Sequence, residues 1–175
     1  MNSCPYLKGK YSPVFIVHRL AIDQIGLALS GFSEWTYPVN AAEIADRMGF
    51  AAGELILEVG YDQDCDVDLR DAIIAKVGSP LLGSDSDEVV DGVLLWFRED
   101  DGDLVDELVD ALTYLSETGP IWLLTPKVGE EGHVDAVDIQ DAAPTAGLTQ
   151  TVSFLASANW SATRLVARKN SSGKK

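Results

Sequence analysis

Two short apolar runs constrain the fold of this chain more than any other feature. Val89–Phe97 (VVDGVLLWF) and Ile121–Thr125 (IWLLT) are mainly apolar and lack the alternation of a half-exposed strand. Such a run is typical of a strand buried on both faces, as in a parallel sheet that helices cover. The chain is therefore predicted to form a parallel sheet with a layer of helices on each face.

Helical patterns alternate with the predicted strands along the chain. The helix predicted over Asp103–Glu117 carries Leu104, Leu108, Leu112 and Leu115 as one apolar stripe. Strands that alternate with helices predict a three-layer α/β domain with a mostly parallel sheet. The other predicted elements are helices at Ala41–Phe50, Asp66–Val77 and Asp135–Ala146, and strands at Leu55–Val59, Leu148–Leu155 and Ala162–Arg168, with a short strand at Leu81–Leu82 left open.

The end of the chain distinguishes this α/β pattern from others. Only a short turn, Ala156–Ser161, separates the last two predicted strands, so they are expected to form an antiparallel hairpin. A mostly parallel sheet that ends in such a hairpin resembles the Rossmann-like fold of class I methyltransferases. The stretch between the first strand and Val89 has room for one helix and at most one strand, whereas a full methyltransferase has two strands there. The resemblance is therefore to a shortened methyltransferase.

The charge and composition of the chain indicate one domain and argue against a nucleic-acid partner. The chain has 175 residues, 46% of them hydrophobic, which suffices for one domain with a buried core. Its formal net charge of −15 repels phosphate backbones, so we expect no nucleic-acid partner. An acidic surface of this strength suits a basic protein partner, although a solvated face with no partner is the simpler interpretation.

The first forty residues are predicted to be an extension, loose or helical, before a single domain at 41–169. Within it, Pro13–Gly31 is apolar but is interrupted by His18, Arg19 and Asp23, which is unfavourable for a membrane helix. Cys4 and Cys65 form no CxxC motif and no disulfide framework. We therefore expect a cytoplasmic protein without a membrane segment. Residues 170–175 are predicted to be a disordered tail.

The segment Glu54–Asp64 (ELILEVGYDQD) resembles half of a cofactor-binding motif. Ligands of such folds bind beyond the carboxyl ends of the strands, where a glycine loop follows the first strand. Glu58 and Gly60 fit the acid and the first glycine of that loop, but Tyr61 and Asp62 stand where a second glycine is useful. The acids that follow repel phosphates. S-adenosylmethionine, which carries none, therefore stays open as a cofactor, although a plain strand and turn is the simpler interpretation.

Two further segments follow strands and are expected at the same edge of the sheet. Arg98 and Asp100 follow one buried strand, and Lys127 follows another, so these three are candidate ligand contacts together with Glu58, Gly60 and Tyr61. Asp100, Asp101 and Asp103 are candidate ligands for a divalent metal, although their spacing does not form a calcium loop. The alternative is that Asp101 or Asp103 caps the following helix.

Three long blocks resemble a family of small actinobacterial proteins, domain of unknown function 3052. The blocks are DEVVDGVLLWFREDDGDLVDELVDAL, GPIWLLTPKVGEEGHV, and AAPTAGLTQT followed by WSATRLV, and the resemblance covers roughly Ala45–Lys169. It implies a cytoplasmic single-domain protein and no particular activity.

These observations lead to one expected function and two alternatives. The incomplete glycine loop, the absence of a recognisable acid for a ribose, and the absence of a catalytic set predict a non-catalytic or regulatory protein. It would bind a protein partner or a small ligand at its acidic rim, with no cofactor. The alternatives are an S-adenosylmethionine-dependent methyltransferase and a divalent-metal-binding module.

Overall fold

A computed structural model of the protein describes residues 40–168, which form alternating strands and helices. The predicted extension, apart from Asn40, and the predicted tail lie outside the described residues. The elements are α1 (Ala41–Met48), β1 (Ile56–Val59), α2 (Val67–Val77), β2 (Gly92–Trp96), a 3₁₀ turn (Glu99–Asp101), α3 (Leu104–Tyr114), β3 (Pro120–Pro126), α4 (Ala136–Thr145), β4 (Leu148–Leu155) and β5 (Trp160–Ala167).

The five strands form one sheet in the order β1-β2-β3-β5-β4. β1, β2 and β3 run parallel, β5 is antiparallel to β3, and β4 is antiparallel to β5. The predicted mostly parallel sheet and its antiparallel C-terminal hairpin are confirmed. Because β1, β2 and β3 run the same way, their carboxyl ends meet at one edge of the sheet, which we call the carboxyl edge.

Two layers of helices cover the sheet because its central strands are apolar on both faces. Along β2, Val93 and Leu95 face the layer of α3 and α4, whereas Leu94 and Trp96 face the layer of α1 and α2. All five residues of β2 are buried. The predicted three-layer arrangement is confirmed, and the continuous apolar run of β2 follows from burial on both faces.

Acidic residues cap the helices that begin near the carboxyl edge. The Asp66 carboxylate accepts a hydrogen bond from the backbone N–H of Leu69 at 2.8 Å and so begins α2. The Asp103 carboxylate accepts from the N–H of Val105 at 2.8 Å and begins α3. The acids at these positions therefore satisfy backbone groups that a helix start leaves without partners.

The helix over 103–117 was predicted too long, since α3 ends at Tyr114. Leu115 leaves the helix in an extended conformation and pairs with Val90. Val90 donates its N–H to the Tyr114 carbonyl at 2.9 Å, and Ser116 donates to the Val90 carbonyl at the same distance. Pairing with a segment distant in sequence therefore ends the helix before Gly119.

The optional strand at Leu81–Leu82 is reduced to a single parallel bridge between Leu57 and Leu82. It lies on the outer side of β1, where Leu82 donates to the Ile56 carbonyl and Glu58 donates to the Leu82 carbonyl, both at 2.8 Å. Among residues 40–168, no helix is long and apolar enough to cross a membrane.

Candidate functional site

An open cleft of about 340 Å³ lies at the carboxyl edge, where the loops after β1, β2 and β3 converge on the start of β5. Trp160, the first residue of β5, is one of its walls. Five carboxylates line the cleft, which we call the acidic cleft: Asp64, Asp100, Asp101, Glu130 and Glu131. Arg98 is the one cationic side chain in this lining.

Arg98 joins the loop after β1 to the end of β2. Its Nε donates to Asp64 Oδ2 at 2.9 Å, and its Nη2 forms a shorter contact with Asp64 Oδ1. Its Nη1 donates to the Gly60 carbonyl at 3.0 Å, and its Nη2 to Cys65 Sγ at 3.2 Å. The guanidinium also lies over the Trp160 ring, 5.1 Å from the ring centroid. We call these five residues the Arg98 cluster.

The charges in the Arg98 cluster reinforce one another. The Arg98 side chain is 16% exposed and the Asp64 side chain is 54% exposed, so water screens their pairing from the Asp64 side. The hydrogen bonds between the two side chains lower the pKa of the Asp64 carboxyl and raise the pKa of the Arg98 guanidinium. The pair is therefore fully ionised at neutral pH and holds the loop after β1 against β2.

The loop after β1, residues 60–66, which we call the glycine loop, requires glycine at its first position. Gly60 has a φ of 72°, in the left-handed region that other residues rarely adopt. A Cβ atom there would lie 2.0 Å from the backbone oxygen of Trp96. The glycine therefore permits contact between the loop and the end of β2, and its carbonyl is bound to Arg98.

Glu58, the acid at the end of β1, is bound within the protein. Its side chain is 7% exposed and accepts hydrogen bonds from Arg70 Nε at 2.8 and 3.0 Å and from Trp96 Nε1 at 3.2 Å. The hydrogen bond with Glu58 raises the pKa of Arg70, whose guanidinium lies 4.9 Å from the Tyr61 ring centroid. Glu58 precedes the glycine loop and Tyr61 is part of it, and neither side chain lines the acidic cleft.

The remaining candidates lie around the acidic cleft in different roles. Asp100 lines it and is exposed. Lys127 does not line it, but its Nζ lies 3.8 Å from Glu130, which does. Of the ligand contacts predicted from sequence, Arg98 and Asp100 line the acidic cleft, and Gly60 is bound to Arg98 through its carbonyl.

Two of the three candidate metal ligands are used in hydrogen bonds within the protein, and the third, Asp100, lines the acidic cleft. Asp101 accepts a hydrogen bond from the Arg98 N–H at 2.8 Å, and Asp103 caps α3. Within residues 40–168, no group of three or more His, Cys, Asp or Glu side chains is placed to hold a metal ion.

Sequence reasoning did not identify Asp64 and Cys65 as site residues. In the sequence, Asp64 is only one of several acids before α2. Trp160 is a wall of the cleft, and its Nε1 donates to the Asp64 carbonyl at 3.0 Å. The signal available was an arginine directly after a buried strand, together with acids in the glycine loop.

The fold is that of the class I methyltransferase type of α/β domain. A solved S-adenosylmethionine-dependent methyltransferase from Aquifex aeolicus is similar to this chain with a TM-score of 0.50 and 10% identity, over 74% of this chain and 90% of that one. The O-methyltransferase NcsB1, solved with S-adenosyl-L-homocysteine and 1,4-dihydroxy-2-naphthoic acid, is similar with a TM-score of 0.52 and 15% identity, over 74% of this chain and 54% of that one. At these identities the likeness shows the fold alone.

Within this fold class, the chain belongs to the DUF3052 family, described as "Protein of unknown function", which matches residues 45–169. Uncharacterized proteins of Mycobacterium tuberculosis and Mycobacterium bovis are each 50% identical to it over 136 residues, which are 78% of this chain and 85% of the relative. The predicted family and its actinobacterial relatives are confirmed.

Proposed function

We propose that this protein is a non-catalytic, regulatory binding protein on a shortened methyltransferase-like domain, and that its acidic cleft binds a basic segment of a partner protein. The observation that carries the proposal is the position of Arg98. Its guanidinium is bound to the glycine loop, where ligands of this fold class bind, and to Asp101. Asp100, Glu130 and Glu131 are the carboxylates of the cleft lining that Arg98 does not bind.

The contacts of Arg98 oppose binding of a cofactor against the glycine loop. The Gly60 carbonyl and both oxygens of Asp64 are bound to its guanidinium, so a ligand at this face must first break those bonds. Glu58 is bound to Arg70 and Trp96 instead of projecting into the cleft. In this arrangement the residues present do not fit S-adenosylmethionine.

The charge of the acidic cleft favours a cationic ligand. Five carboxylates and one guanidinium line it, and the guanidinium is already paired with Asp64. Carboxylates around a concave surface attract lysine and arginine side chains and speed their association. The cleft is open to solvent, which suits a segment of a larger molecule better than an enclosed small ligand.

Binding of S-adenosylmethionine is the second candidate, since one local observation favours it. Gly60 packs against the end of β2 in the left-handed conformation that brings a loop backbone close to a ligand, and Glu58 is the acid next to the last residue of β1. This candidate requires Arg98 to leave the Gly60 carbonyl when the ligand enters.

Calorimetric titration with S-adenosylmethionine and S-adenosylhomocysteine separates the two candidates. The proposal expects no heat and no change in melting temperature at millimolar ligand. Micromolar binding, about −8 kcal/mol, would overturn the non-catalytic interpretation and direct the search to methyl acceptors. An Arg98→Ala variant that gains binding would identify Arg98 as the group that blocks an otherwise retained site.

Binding of a hexalysine peptide tests the acidic cleft directly. We expect Glu130→Gln/Glu131→Gln to weaken binding at least about tenfold, a change of 1.4 kcal/mol. The matched control is Asp106→Asn/Asp110→Asn on α3, which removes the same charge away from the cleft. Equal weakening by both pairs would show that the peptide responds to net charge alone, and the cleft would then not be a site.

A further inference from the structure

The outer edge of β4 has no partner strand among residues 40–168. β4 pairs with β5 on one side and is the last strand of the sheet. The backbone N–H and C=O groups on the free side of an edge strand are ready to pair with another strand. Because β4 is eight residues long, this edge offers a full set of such groups.

The opposite edge of the sheet is protected. On the outer side of β1, the backbone of Leu82 forms two hydrogen bonds, to Ile56 and from Glu58. The segment after Leu82 adds the negative charges of Asp85 and Asp87. Coverage and charge are both common means of preventing strand pairing at an edge. The β1 edge has both, whereas the β4 edge has no such cover among residues 40–168.

β4 lies in an uncharged part of a strongly charged chain. No Asp, Glu, Lys or Arg occurs between Asp141 and Arg164, although 23% of the chain is charged. β4 also contains no proline. A bulge between Gln150 and Val152 is the one feature that opposes pairing, and it leaves residues 152–155 in regular register with β5.

The side chains of β4 also suit a partner strand. Val152 is 37% exposed and Leu155 is 46% exposed. Thr149, Thr151 and Ser153 are also exposed, and threonine favours strands. A partner strand at this edge would bury apolar surface on both faces while it pairs the backbone.

We propose that β4 pairs antiparallel with β4 of a second copy of this chain, across a two-fold axis, so that two five-stranded sheets become one. An antiparallel strand edge is self-complementary under such an axis. Two molecules of net charge −15 repel each other over charged surface, and an uncharged edge is where they approach at least cost. A basic partner, in contrast, is attracted to the carboxylates and not to this edge.

Sedimentation analysis of the full chain, over a wide range of protein concentration, tests the proposal. We expect twice the monomer mass of 18.8 kDa for the native sequence. Val152→Glu and Gln150→Glu place two like charges near the axis and should each shift the protein towards monomer. The matched control Val109→Glu, on α3 at 45% exposure, should remain dimeric.

Hydrogen exchange of the same samples locates the contact. The proposal expects the β4 amides to be protected in the dimer and to exchange faster in Val152→Glu, with β2 and β3 unchanged as proof of folding. A monomeric native protein would overturn the proposal, even if its β4 amides were protected by another part of the same chain. A dimer that resists both β4 variants, or that Val109→Glu also dissociates, would overturn it as well.

Discussion

Arg98 joins three segments at the carboxyl edge: the glycine loop, the end of β2 and the start of β5. Arg98→Ala removes the hydrogen-bond donor to the Gly60 carbonyl and to Cys65 Sγ, and it leaves the Asp64 carboxylate without its cationic partner. We expect the free energy of unfolding to fall by about 2–3 kcal/mol, because hydrogen bonds to charged groups are worth more than neutral ones. Urea unfolding followed by circular dichroism measures the change.

The control for Arg98 is another cation at the same edge. Lys127 pairs with Glu130 at 3.8 Å, and the two side chains are 39% and 42% exposed, so Lys127→Ala should change stability by less than about 0.5 kcal/mol. Arg98→Lys keeps the charge but cannot make the same forked contacts, so it should fall between native and alanine. A loss of less than 1 kcal/mol in Arg98→Ala would contradict the role assigned to this side chain.

The Cys65 thiol should make the free energy of unfolding depend on pH in the alkaline range. Burial raises the pKa of its thiol, so the folded protein keeps the proton to a higher pH than the unfolded chain does. Above the unfolded thiol pKa of about 8.5, stability should fall as pH rises, by at most about 1.4 kcal/mol per pH unit. Urea unfolding at neutral and alkaline pH measures this slope in a Cys4→Ser background.

The matched variant for this slope is Cys4→Ser/Cys65→Ser, which keeps a polar group of similar size without a thiol. It should lose less stability at alkaline pH, and the difference between the two proteins isolates the contribution of Cys65 from that of the rest of the chain. Identical slopes in the two proteins would mean that the thiol pKa is the same in the folded and unfolded states.

At the scale of elements, local sequence predicts what local interactions determine. The interior of β2 was predictable because its apolar run is buried on both faces. The start of α2 was predictable because Asp66 caps it. The end of α3 was not, because Leu115 is drawn out of the helix by pairing with Val90, a contact that no local pattern encodes.

The turn that follows β1 should be intolerant of any side chain. Gly60→Ala forces alanine into a left-handed conformation and places its Cβ 2.0 Å from the Trp96 backbone oxygen. We expect a loss of at least about 3 kcal/mol, since the conformation alone costs about 1–2 kcal/mol and the backbone contact cannot be relieved by a rotamer change. Thermal and urea unfolding measure it.

Gly129→Ala is the control for this turn. Gly129 also has a positive φ, 93°, but a Cβ there has nothing within 4 Å. Only the conformational cost of about 1 kcal/mol should remain. Similar losses in the two variants would show that close approach to β2 does not matter at Gly60.

At the scale of the whole molecule, the parallel sheet explains how much of the site was predictable. Parallel strands end at one edge, so the residues after β1, β2 and β3 were expected there, and Gly60 and Arg98 do meet. Their partners Asp64 and Trp160 depend on side-chain geometry across four segments, which periodicity does not report. The position of Glu58 before Gly60 predicted a ligand contact. Its hydrogen bonds to Arg70 and Trp96 also depend on side-chain geometry, which the sequence pattern does not report.

The net charge of −15 should make stability increase with salt. Raising NaCl from about 10 mM to about 150 mM shortens the Debye length from about 30 Å to about 8 Å. This screens repulsion between distant carboxylates more than it weakens the close contact of Arg98 with Asp64. We expect the melting temperature to rise by about 1–2 °C, roughly 0.5 kcal/mol, in scanning calorimetry. A fall would mean that ion pairs outweigh repulsion.

The same charge gives the two proposed interactions opposite responses to salt. Attraction between the acidic cleft and a basic segment weakens as salt screens it, whereas pairing of two anionic molecules through β4 strengthens as their repulsion is screened. Titration and sedimentation at low and high NaCl should therefore change in opposite directions. If both interactions weaken together, the β4 contact is electrostatic and does not arise from the uncharged edge.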